Sequence, residues 1–159
     1  MAYGNYLASV SEEQIRNLRH DPKLAVNPSA IVLVSHLIAY WVKAQPLGKL
    51  LGEALDGGQP LNSTLWHPLR APTYHSIAAT TALFQQISDA WNAATGEPFP
   101  EMDWYRVEIE RVLSIFGHAS KNGEGVISVL EPPLDQERAS RVHLPLVVPG
   151  GDNLASIHG

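Results

Sequence analysis

The stretch "DWYRVEIERVLSIFGHASKNGEGVISVL", Asp103 to Leu130, changes its hydrophobic period partway along. Met102, Tyr105, Ile109, Val112, Leu113 and Phe116 lie on one side of a 3.6-residue repeat, the strongest amphipathic stripe in the chain, and predict a helix lasting to about Asn122-Gly123. Gly125 to Leu130 then reads as a strand, which Pro132-Pro133 breaks. Gly123-Glu124-Gly125 between them is a turn. A helix of this kind next to a strand asks where the other strands are.

Upstream, Ile77, Phe84, Ile87 and Trp91 predict a helix from about Tyr74 to Ala94, closed near Gly96. Pro46 opens a shorter helix with Leu47, Leu50, Leu51 and Leu55 on one face, ended by Gly57-Gly58. Asn27-Pro28 gives a cap and a proline at the first helical position, so the apolar run through about Lys43 reads as a buried helix. Near the start, Tyr3 to Val10 is a strand. Ser11 caps the next helix, with Gln14 completing a capping box and Val10 stapling onto Ile15, and the helix stops before Asp21-Pro22. Downstream, "VHLPLVVP" suits an extended edge segment, and Gly150 to Gly159 a frayed tail. With helices dominant and short strands at both ends, the expected fold is α+β, a small, mostly antiparallel sheet covered by about five helices. Residues 1–148 are expected to form one domain and 149–159 a flexible tail.

The 159 residues suffice for one core, and 45% apolar with 17% charged residues is globular composition. A formal charge of −5, with scattered Lys and Arg, offers no field for phosphate backbones, so nucleic acid is not an expected partner. Cysteine is absent, which removes disulfides, thiolate metal sites and thiol nucleophiles. The beginning "MAYGNYLASVSEEQ" lacks the pattern of a signal peptide, and the run Ile31 to Val42 is well short of the roughly 20 residues that span a bilayer. These features predict a soluble, cytoplasmic protein without a membrane partner.

The common nucleotide-binding, serine-hydrolase and zinc-protease motifs are missing. His67 and His75 would lie about 26 Å apart on an extended chain at ~3.3 Å per residue, and nothing in the spacing brings His36 to them, so neither a metal nor a cofactor is expected. Glu108 and Glu110 flank the apolar stripe of their helix, and Arg106 four residues before Glu110 suits a solvated face. The segment "STLWHPLRAPTYHS", Ser63 to Ser76, is richer. Trp66, His67, Tyr74 and His75 offer flat faces with polar edges, and Arg70 offers a planar fork for a carboxylate or phosphate. The structural alternative has Trp66 filling core space, Arg70 capping helix carbonyls and Thr73 capping the following helix.

"GNYLASVSEEQIRNLRHDP", "SHLIAYWVKAQPLGKLLGEALDGGQPL", "WHPLRAPTYHSI" and the closing helix and strand together resemble the YfbM-like bacterial domain of unknown function, from about Gly4 to Leu130. The resemblance implies an α+β fold and singles out His36 and Arg70. It leads one to expect a tryptophan where this chain has Val32, and it leaves the extension after Glu131 unaccounted for. The expected function is a binding module that uses His36, Trp66, His67, Arg70, Tyr74 and His75 to hold a partner protein or a small anionic ligand, with an immunity-like role suited to its acidity. The alternative is an enzyme acting on a small anionic metabolite, with His36 or His75 as general base and Arg70 orienting the substrate.

Overall fold

The computed structural model describes residues 4–21, 26–61, 71–94 and 101–131. Its elements run β1 (Gly4–Val10), α1 (Glu12–His20), β2 (Ala30–Ser35), α2 (Ile38–Trp41), α3 (Leu47–Asp56), β3 (Gln59–Pro60), β4 (Thr73–His75), α4 (Ile77–Ala94), α5 (Glu101–Lys121) and β5 (Gly125–Glu131). The strands form one sheet in the order β2-β1-β5-β4-β3, every pair antiparallel. This is the expected α+β architecture. The sheet is longer than expected, because β1 and β5, seven residues each, pair along their whole length at its centre.

Alternation along the strands assigns each residue to a face. On one face Val10, Ile127 and Val129 meet Ile15 and Leu18 of α1, with Tyr6 and Tyr74 packed at the margin. On the other, Leu7, Val32, Val34 and Val126 meet Leu51 and Leu55 of α3, Leu83 and Ile87 of α4, and Ile109, Val112, Ile115 and Phe116 of α5. The α5 stripe legible in the sequence is this buried face, and each such side chain removed from water contributes about 1.5–3 kcal/mol.

One expected element is corrected. The predicted helix from Asn27 to Lys43 is instead strand β2, a turn at His36-Leu37, and the single-turn helix α2. Ala30, Ile31, Val32 and Val34 are all buried, because both faces of β2 are covered. A strand covered on both faces shows the continuous apolar run that a buried helix shows, and the β-branched content of "AIVLV" is the feature that separates them. Asn27 starts no helix. Its backbone is clipped by the Gln14 side chain, which accepts from Asn27 N at 2.7 Å and donates to Asn27 O at 2.9 Å. Gln14 is therefore spent on the loop, while Ser11 does cap α1 by accepting from Gln14 N at 3.2 Å.

The helix predicted from Tyr74 begins later. Thr73, Tyr74 and His75 form β4, and Ser76 rather than Thr73 caps α4, its hydroxyl accepting from Ala79 N at 3.2 Å. Nor does Glu108 lie on a solvated face, since it reaches the backbone of β2. The "VHLPLVVP" segment, the predicted tail, and Trp66, His67 and Arg70 lie outside the described residues.

Candidate functional site

The described candidates fall into two places separated by the sheet. His36, in the turn after β2, is 6% exposed. Its Nδ1 lies 2.6 Å from Asn5 Oδ1, and its Nε2 lies 3.3 Å from Asp56 Oδ2 at the end of α3. Asn5 Nδ2 donates to Leu55 O at 3.0 Å and to Ser128 Oγ at 2.9 Å, and Ser128 Oγ donates to Leu55 O at 2.7 Å. A carbonyl can only accept, so this fixes which end of the Asn5 amide is nitrogen, and its oxygen in turn requires a proton on His36 Nδ1. Leu55 O belongs to the last turn of α3, where carbonyls lose their helical partners. Asn5 and Ser128 thus cap α3 from the sheet below it. Both His36 nitrogens face oxygens, and the contact with Asp56 becomes an ion pair when the ring is protonated.

His75 points to the same face from β4 and is 4% exposed. Its ring meets Phe116 edge-on with centroids 5.7 Å apart, and its Nε2 lies 3.6 Å from Glu53 Oε1, too far for a hydrogen bond. Neither ring nitrogen has a hydrogen-bond partner, and neither does Thr73 Oγ1 two residues earlier. Burial holds the His75 pKa below its usual value, and the attraction of Glu53 offsets part of that. Both histidines therefore contact acids of α3, but each has its own, Glu53 or Asp56.

Tyr74, between them in sequence, faces the other way. Its hydroxyl donates to Gln59 Oε1 at 2.9 Å and accepts from Arg19 Nη2, while the Arg19 guanidinium lies over its ring, 4.8 Å from the centroid. Arg19 also donates to Gln59 Oε1 at 3.1 Å. Arg19 and Tyr74 border a cleft of about 250 Å³ between α1, β4 and the start of α4, lined also by Glu12, Arg16, His75, Ser76 and Ile77. Arg16 and Arg19 stand three apart, so both project toward it from α1. Arg19 is committed to Tyr74 and Gln59. Arg16 is exposed and makes no hydrogen bond or ion pair among the described residues. The N–H groups of Ile77 and Ala78, in the first turn of α4, have no acceptor within the helix.

A second open groove, about 590 Å³ between α3 and α4, is lined mainly by apolar atoms of Pro46, Leu50, Ala90 and Ala93, with Lys49 and Asp89 balancing each other's charge. At the far end of β1, Ser29 Oγ donates to Glu124 Oε1 and lies 2.9 Å from His118 Nε2, while Ser9 Oγ donates to the same Glu124 oxygen at 2.8 Å. The Ser29 proton goes to the carboxylate, so the hydroxyl accepts from His118. This arrangement ties β1, β2 and α5 together, with the hydroxyl protons of Ser9 and Ser29 both committed to Glu124. Among the described residues no three His, Asp or Glu side chains are grouped to hold a metal ion, and no helix is long and apolar enough to cross a membrane.

Asn5, Ser128, Arg16, Arg19 and Gln59 were not singled out from sequence. A signal existed for the first two, as polar residues at inward positions of apolar strands. Arg16 and Arg19 look like an ordinary solvated helix face until β4 is placed beside them. No family model matches the chain, and neither a curated protein nor a solved structure matches it.

Proposed function

We propose that the protein is a binding module for a small anionic ligand, held in the cleft between α1, β4 and α4. The observation that carries this reading is Arg16, a guanidinium without a partner among the described residues, lining a cleft that also holds Arg19 and Tyr74. A guanidinium fork matches a carboxylate or phosphate with two parallel hydrogen bonds, and the leading N–H groups of α4 favour negative charge at the same place. Glu12 on the cleft wall acts against a highly charged ligand and favours one with a donor group beside its anion. The resemblance to the YfbM-like domain and a cytoplasmic location belong to this proposal. The cleft replaces His36 and His75 as the centre of binding, because both imidazoles lie buried on the opposite face of the sheet.

A thermal-shift series with inorganic phosphate and small mono- and dicarboxylates, run on the wild-type chain and on Arg16→Ala, tests it. Ligand at 100 times its dissociation constant stabilises the fold by about 2.7 kcal/mol. The expected result is a ligand-dependent shift that Arg16→Ala removes without lowering the melting temperature of the free protein. A shift unchanged by the substitution counts against the site.

A partner protein is the second reading, favoured by Tyr40 and Trp41, adjacent aromatics of α2 that are 65% and 56% exposed.

A further inference from the structure

The sheet ends in two unlike edges. β3 is two residues long and contains Pro60, which has no N–H to offer, so it is a poor template for another strand. β2 is six residues, "AIVLVS", and among the described residues pairs with β1 along one side only. An edge of that length and composition is normally an invitation to pair.

Two side chains of α5 stand in its way. Glu108 Oε2 accepts from Ser35 N at 2.9 Å, and Arg111 Nη1 donates to Leu33 O at 3.2 Å. Residues 33 and 35 are alternate positions, so their backbone groups point the same way, outward from β1. One side chain supplies the acceptor and the other the donor that a neighbouring strand would supply. The two lie 3.6 Å apart and so hold each other in place. The packing of α5 does not require this, since Ile109, Val112, Ile115 and Phe116 seat the helix on the sheet.

We propose that Glu108 and Arg111 guard the β2 edge, and that displacing them lets a second copy of this chain pair with it, β2 against β2, in a two-fold antiparallel dimer. A second copy fits because a two-fold contact needs a patch complementary to itself. This one is: once Glu108 and Arg111 are displaced, the outward N–H of Ser35 and C=O of Leu33 are the donor and acceptor that an identical antiparallel edge needs. Tyr40, Trp41 and Val107, the large apolar residues most exposed among the described ones, lie on α2, which follows β2 in the chain, and on α5, which packs on β2. Such a dimer would bring them nearer to cover.

Sedimentation velocity at micromolar protein concentration tests this on four chains, each checked for folding by circular dichroism. Wild type should run as a monomer and Glu108→Ala/Arg111→Ala as a species of twice the mass. Glu108→Gln/Arg111→Lys, which keeps an acceptor and a donor, should return the monomer. Adding Leu33→Pro to the double alanine variant removes an outward N–H and should also return the monomer. A folded double alanine variant that stays monomeric, or a wild type that already dimerises, overturns the guard. A dimer that survives a folded Leu33→Pro variant overturns β2 as the contact.

Discussion

Asn5 accepts a hydrogen bond from His36 Nδ1 at 2.6 Å while its amide nitrogen caps the last turn of α3, so one fully buried side chain joins the sheet, the turn after β2 and a helix. Asn5→Ala leaves His36 Nδ1, Leu55 O and Ser128 Oγ each short of a partner. Each hydrogen bond lost is worth about 0.5–1.5 kcal/mol, so with three removed urea denaturation should show a loss of ~3 kcal/mol. Ser128→Ala shares the Leu55 acceptor, and the double variant should lose less than the sum of the single losses.

His75 predicts how stability varies with acidity. Its folded pKa lies below 6.5 and its unfolded value near 6.5, so between the two the unfolded chain binds more protons. Its contribution is complete above 6.5 and is lost as pH falls from there toward the folded pKa. His75→Phe should flatten this part of the profile of unfolding free energy against pH. Glu53→Gln removes the attraction that supports protonation, so its profile should fall more steeply than that of wild type.

Gly58 and Gly123 both have positive φ, +88° and +65°, but only Gly58 is crowded. A Cβ there would come 2.5 Å from Tyr74 O and 3.1 Å from His75 Cε1, whereas at Gly123 nothing lies within 4 Å. Gly123→Ala should cost only the left-handed backbone term of about 1–2 kcal/mol. Gly58→Ala adds overlap with β4 and should cost more, by denaturant titration, and it should also weaken ligand binding, because it displaces Tyr74.

The period of α5, the α3 leucines and the Ser11 cap are local patterns that survive folding unchanged, and all three were legible in the sequence. β2 was not, because its apolarity comes from being covered on both faces, and a one-dimensional pattern shares that property with a buried helix. The same limit hid the cleft. Tyr74 was visible as a residue of interest, but its partners Arg19 and Gln59 are 55 and 15 residues away and meet it only because α1 and β3 both abut β4. His36 and His75 were visible as histidines, while their burial against separate acids of α3 depends on the order of strands in the sheet.

Whether the cleft beside Arg16 takes an anion is read most directly by an amide and guanidinium NMR titration with inorganic phosphate. Shifts should concentrate on the side chains of Arg16 and Arg19 and the amides of Ile77 and Ala78, saturate with ligand and be absent in Arg16→Ala. Saturable shifts centred instead on Tyr40 and Trp41, or on the groove between α3 and α4, would contradict it, and so would the absence of any saturable shift with either phosphate or a small carboxylate.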